Sequence, residues 1–301
     1  MPQLMREIRH PGPVAPQRQQ VAPASLREVA LTLAPGRSLL DAVREALDAA
    51  AQAHGLPVPC RSAVLRLGEP GRGAAMFPFA WVMPARSKTT AHAVYFSDRF
   101  EAAQPVHLRD ATVTYGQRDG LPFLHCHADW RDGQGQRRCG HVLPGDAVLT
   151  EPLPARAWLL QGAGFQVRAD AETAFSLFQP VADDAGLGPQ PGALAVRLAP
   201  NTDVCLALEA LCRRHGIAQA VVRGGVGSTV GAVFDDGRVV QPFVTETLVR
   251  AGRIAPGADG QLRAELDVSL VDHTGGITDG RLARGRNPVL VTFELVLEAD
   301  Q

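Results

Sequence analysis

The residues from Gly120 to Asp146 concentrate the groups that could do chemistry: His125, His127, Asp129, Cys139 and His141. The stretch reads as a β-hairpin. Leu121 to Trp130 is an apolar and aromatic run, Arg131 to Gly135 is a turn cluster with two glycines, and Gln136 to Leu143 returns. His125 and His127 are two apart, so they project from one face, roughly 6.5–7 Å apart along the strand. Directly opposed residues of an antiparallel pair also share a face. A turn with an odd number of residues, centred on Gln134, sets His127 opposite His141 and Asp129 opposite Cys139. A two-residue turn at Gly133–Gln134 would send His141 to the other face. Three- and five-residue turns containing Gly are common enough to make the odd register a plausible one. It aligns three imidazoles that suit zinc, iron or nickel, with water, Asp129 or Cys139 at a fourth position. The plain alternative is three unrelated polar residues on a solvated strand face.

These groups need a scaffold. The chain has 301 residues with ordinary globular composition, enough for one large or two ordinary domains. Its net charge of −1 carries no whole-chain footprint of a nucleic-acid binder. No run approaches the ~20 apolar residues that cross a bilayer, so no membrane partner is expected. The Pro-, Arg- and Gln-rich N-terminus lacks the apolar core of a signal peptide. Five cysteines, odd in number and without Cys-x-x-Cys, fit reduced thiols in a cytoplasm.

Taken in order, residues 1–27 read as an extended N-terminal arm. Residues 28–180 form the expected first domain, 181–192 an Asp-, Gly- and Pro-rich linker, and 193–301 the second domain. Val29–Leu33 reads as a strand. Ser38-x-x-Asp41 resembles a capping box before a helical pattern that stops at Gly55. Val106–Tyr115 is a strand candidate leading to the hairpin. In the second domain a helix carrying Val204, Leu208 and Leu211 ends at His215-Gly216. The run from Gly224 to Gly231 is expected to be a tight strand exit, since it matches neither dinucleotide nor Walker spacing. Cys126, Trp81, Phe123 and Trp130 read as packing residues. Arg137-Arg138 reads as a solvated turn.

The second half repeats the first. Leu33-Ala-Pro-Gly matches Leu198-Ala-Pro-Asn, and His54-Gly55 matches His215-Gly216. Asp119-Gly120 returns as Asp259-Gly260. At that constant offset His125 becomes Glu265, His127 becomes Asp267, Asp132 becomes Asp272 and His141 becomes Arg281. If those positions share a face, Arg281 can pair bidentately with Asp267 or Glu265 without a metal. The second copy would then keep the hairpin and lose the ligands.

The Leu-x-Pro-Gly motif, the helix ending in His-Gly, Leu124-His-Cys-His127 and Gly140-His-Val-Leu143 together resemble the PPC domain (plants and prokaryotes conserved). The first copy covers about Val29–Pro180, and the more diverged second about Ala193–Ala299. The resemblance implies an α/β (α+β) fold of two tandem PPC-like domains, each a curved, mostly antiparallel sheet with one main helix. It implies assembly as a trimer. It also implies a divalent-metal site at His125, His127 and His141, and a DNA-binding association by analogy with plant members that carry AT-hooks. Arg284-Gly-Arg-Asn-Pro288 departs from the AT-hook because Asn287 interrupts it, and it falls at a predicted turn.

Three functions are therefore expected to compete. The first is a metal-binding tandem protein, zinc foremost, with a regulatory or DNA-associated role. The second is a metal-dependent enzyme acting on a small-molecule ligand, assisted by Asp129, Glu151 or Cys139. The third is an oligomeric scaffold whose histidines are structural.

Overall fold

The structure is a computed structural model and describes residues 6–68, 72–183 and 192–300. Most of the expected linker, residues 184–191, lies outside the described residues, as do residues 1–5 of the expected arm.

Two helices stand on a predominantly antiparallel β framework. The first helix, Leu39–Ala53, begins as its sequence signals. The Ser38 hydroxyl accepts from the Asp41 amide and donates to its carboxylate. Leu39, Val43 and Leu47 fall at helical spacing and bury completely against the sheet. Gly55 ends the helix at φ +67°, a conformation that favours glycine. Gly216 does the same at φ +67° after the second helix, Val204–Arg214.

Each half has the same strand order. In the first, Gln19–Leu33 pairs with Leu153–Gln161, which pairs with Ala63–Leu67, then Val106–Arg118, then Leu121–Arg131, then Arg137–Val142. In the second, Ala193–Leu198 pairs with Val289–Ala299, then Ala220–Val233, Val239–Pro256, Leu262–Asp272 and Ile277–Arg281. The chain thus forms two similar halves, each with one main helix on a mostly antiparallel sheet.

The strand expected at Val29–Leu33 is the end of a longer one, Gln19–Leu33. Its residues 25–33 pair with the first sheet and residues 19–24 with the second, so one strand belongs to both. Its earlier part escaped the sequence reading because its buried residues, Ala22, Ala24 and Ser25, are small and give no apolar signal. Around them Val64, Trp158, Phe165, Phe178 and Val296 close a core between the halves.

The glycines of 224–231 lie inside the strand Ala220–Val233 rather than at its exit. A Cβ on Gly224 would lie 2.8 Å from the Val64 Cβ, so glycine there lets the two sheets approach. The AT-hook-like run is a fixed turn. Arg284 binds Glu209 bidentately at 2.7 and 2.8 Å, and the buried Asn287 donates to the carbonyls of Val233 and Ala283. Asp203 holds this turn to the second helix. It caps the Leu206 amide at 2.9 Å and accepts from the Asn287 amide at 2.8 Å. Asp203→Ala is expected to cost about 1–2 kcal/mol in urea unfolding, with Asp203→Asn recovering most of it. An unchanged midpoint would contradict the capping role.

Candidate metal centre

The hairpin adopts the odd register. Arg131 pairs with Arg137, Asp129 with Cys139 and His127 with His141. The turn from Asp132 to Gln136 is closed by the Asp132 amide donating to the Gln136 carbonyl. The Asp132 carboxylate accepts the amides of Gln134 and Gln136 at 3.0 and 2.9 Å. This geometry converges the three histidines. Ring centroids lie 4.7 Å apart for His125–His127, 4.9 Å for His125–His141 and 5.4 Å for His127–His141. One ligand atom from each lies within 4.8 Å of the others.

Partners on the outer ring nitrogens assign the tautomers. His127 Nδ1 stands 2.9 Å from the Thr247 carbonyl oxygen, so it carries the proton and donates. His125 Nδ1 stands 3.1 Å from Glu294 Oε2 and donates likewise. In the neutral imidazoles both Nε2 atoms are then bare, and these face each other 3.1 Å apart. Two lone pairs at that distance repel unless a cation lies between them. A neighbouring NH bound to a carboxylate or carbonyl is also the support that metal-ligating histidines ordinarily have. His141 Nδ1 is buried with no hydrogen-bond partner among the described residues.

The other wall comes from the second half, and sequence reasoning missed it. Glu246 Oε1 lies 3.9 Å from both His127 Nε2 and His141 Nδ1, and Glu246 Oε2 is buried without a partner among the described residues. The edges of a tetrahedral N/O zinc site are about 3.3 Å, given bonds of 2.0–2.1 Å, so small side-chain shifts would bring this set onto a cation. Burial pushes the Glu246 carboxyl up to about 8. Burial, then the neighbouring His125 ring, pushes His127 down to about 3 against the opposing Thr247 bond. Burial likewise holds His141 well below the ordinary histidine range. The only available signal for Glu246 and Glu294 was an acidic residue inside an otherwise apolar or Thr-flanked strand, Thr245-Glu246-Thr247 and Phe293-Glu294-Leu295.

The other suggested helpers are engaged elsewhere. Asp129 is held by Arg137 at 2.7 Å. Cys139 packs with Leu248 and Val271, and burial raises its thiol well above the usual range. The Glu151 carboxylate accepts the Ala75 amide at the surface. Arg137, expected in a solvated turn, also binds Asp279 of the second half bidentately at 2.7 Å through two nitrogens. In the second half Asp267 stands opposite Arg281, as His127 stands opposite His141. Arg281 binds Asp267 bidentately at 3.0 and 3.2 Å and reaches Glu265 at 3.3 Å. Asp272 accepts the amides of Thr274 and Gly276, repeating the Asp132 turn.

Residues 188–299 match the family model of the Plants and Prokaryotes Conserved (PCC) domain. Similar solved structures include a plant- and prokaryote-conserved (PPC) protein from Pyrococcus horikoshii, at 14% identity and TM-score 0.39, covering 53% of this chain and 96% of that one. A metal-containing protein from Archaeoglobus fulgidus is similar at 16% identity and TM-score 0.38, covering 52% and 96%. A protein from Ralstonia eutropha with a provisional DNA-binding description is similar at 16% identity and TM-score 0.31, covering 50% and 88%. Likeness at these levels carries no argument about function. No curated protein matches the chain. Among the described residues, no helix is long and apolar enough to cross a membrane.

Proposed function

We propose that this PPC-domain protein binds a divalent metal, zinc foremost, through His125, His127 and His141, with Glu246 of the second half closing the coordination sphere. The observation that carries this reading is the pair of Nε2 atoms, 3.1 Å apart, on rings whose Nδ1 atoms face the Thr247 carbonyl and the Glu294 carboxylate. Burial disfavours the charged imidazolium at His127 and His141, so neither of these rings supplies the positive charge itself. The carboxylate of Glu246 supplies the negative charge that a divalent ion would need in this buried setting.

When bound, such an ion supplies Lewis acidity for a small-molecule ligand. The side chains of His125 and His141 keep 15% and 18% exposure, so the cluster is reachable from solvent. Glu246, once ionised, is placed to take up or hold a proton beside it. This favours the enzyme reading over a purely structural cluster. A regulatory or DNA-associated role, a trimeric assembly and a cytoplasmic location rest on resemblance and composition alone. DNA binding would be recognised by a steep loss of affinity with salt.

The test is metal content by plasma mass spectrometry on untagged protein, beside His127→Ala. Near-stoichiometric metal in the wild type and its loss in the variant are expected. No metal in the wild type, even after reconstitution, would sink both the metal and metalloenzyme readings.

A further inference from the structure

A second cluster of charge lies next to the histidines. Asp110 and Asp129 stand directly opposite each other on adjacent strands, an arrangement that destabilises unless counter-charges are supplied. Arg66 binds Asp110 bidentately at 3.0 and 2.7 Å, and Arg250 lies 3.6 Å from it. Arg137 binds Asp129, and Arg109 lies 3.6 Å from it. With Asp279, which Arg137 also binds and which lies 3.9 Å from Arg250, three carboxylates face four guanidinium groups, an excess of one positive charge. Arg131 adds a fifth, its Nη1 donating to the Gly135 carbonyl at 2.7 Å.

Arg109 and Arg250 arrive there by the same device. Arg109 is the extra residue of a β-bulge, since Leu108 pairs with Trp130 and Asp110 with Asp129. Arg250 is the extra residue of the corresponding bulge in the second half, since Val249 pairs with Val268 and Ala251 with Asp267. Bulges re-aim side chains. These two aim both arginines into one cavity of about 390 Å³ between the halves, whose wall also holds Arg66, Asp129 and Arg131. Each side chain is 43% exposed. Each meets its carboxylates only at 3.6 Å or beyond, longer than a direct hydrogen bond, so their forks keep N–H groups free to donate.

We propose that this cavity binds the phosphate of a small phosphorylated molecule, with Arg109 and Arg250 as its principal donors from the two halves. Paired guanidinium forks match phosphate oxygens bidentately. A concave seam of this volume suits a small ligand rather than the long basic stripe that tracks a nucleic-acid backbone. Asp129 lies two residues from His127 on the same strand face, roughly 7 Å along it. A ligand anchored by its phosphate can therefore extend toward the histidines. The anion site stands without the metal, and its test is made on metal-free protein.

The test is calorimetric titration of the metal-stripped full chain with pyrophosphate at low and at physiological salt. The wild type is expected to bind one equivalent saturably. Arg109→Gln/Arg250→Gln is expected to bind at least ten times more weakly, with circular dichroism confirming the fold. Arg250→Gln alone provides a milder variant should the double one unfold, with an expected loss of several-fold. Arg253→Gln, an exposed arginine paired with Glu265 outside the cavity, is expected to bind pyrophosphate as the wild type does, which separates the site from general surface charge. Absence of saturable binding by folded wild type, or equal affinity in the arginine variants, would overturn the proposal. So would duplex DNA that displaces pyrophosphate and loses its own affinity in the same variants, because the occupant would then be nucleic acid.

Discussion

Asp170→Ala is expected to remove about 3–5 kcal/mol of stability, because it leaves a buried guanidinium without its counter-ion. Arg197 is 1% exposed and lies in a strand whose residues are all buried. Its Nη2 lies 2.8 Å from Asp170 of the first half, its Nε donates to Thr292 and its Nη1 to Gln20. Burial alone would raise the Asp170 carboxyl, but Arg197 and two bonds from Thr173 outweigh it and hold it below the usual carboxylate range. A depressed acid contributes stability above its unfolded value, about 3.9, and loses it as pH falls through the folded value. Asp170→Ala is therefore expected to flatten the acid limb of the stability profile as well as lower its plateau. The double variant Asp170→Ala/Arg197→Met is expected to recover part of the loss, since it removes the orphaned charge. Thr292 is two residues from Glu294, which orients His125, so metal retention is a second readout. A cost below about 1 kcal/mol would show that the pair is exchangeable with water, contrary to its burial.

The parts of the site that were legible in the sequence are those set by local rules. The period of two along a strand, the odd turn around Gln134 and the opposition of His127 to His141 follow from pleat and turn geometry, and the structure adopts them. The capping box at Ser38 and the Asp267–Arg281 pair of the second half were legible for the same reason. Glu246, Glu294 and Thr247 were not. They reach the histidines by packing of one half on the other, and no spacing within either half encodes which carboxylate is aimed at which imidazole. The strand Gln19–Leu33 shows the same limit. Its membership of two sheets depends on partners as distant as Gln161 and Leu198. The bulge arginines were hidden more simply, because an extra residue in a strand looks like any other exposed arginine until its partners are known.

The last expectation concerns the metal-free protein, whose stability is expected to peak near pH 6.5 and fall on both sides. Glu246 keeps its proton up to about 8 in the folded chain. An unfolded glutamic acid releases it near 4.3, so stability declines as pH rises between those values, by about 1.4 kcal/mol per unit. His127 and His141 work in the opposite sense. The unfolded imidazoles take up protons below about 6.5, whereas burial keeps the folded ones neutral, with His127 pushed down to about 3. Stability contributed by these two is therefore lost as pH falls below 6.5. Two histidines outweigh one glutamate on the acid side, and only the glutamate acts on the alkaline side. A bound divalent cation favours the ionised carboxylate, so metal is expected to remove the alkaline decline between pH 6.5 and 8 and to stabilise most at its upper end. Glu246→Gln should abolish that decline without metal and weaken metal affinity by about 10–100-fold, the range seen when groups supporting a metal site are removed. Urea unfolding of chelator-treated and zinc-loaded protein from pH 5 to 8.5 reads all of this. If metal-free wild type and Glu246→Gln superimpose across that range, Glu246 does not hold a proton at neutral pH; if Glu246→Gln binds zinc as tightly as the wild type, its part in closing the coordination sphere would have to be abandoned.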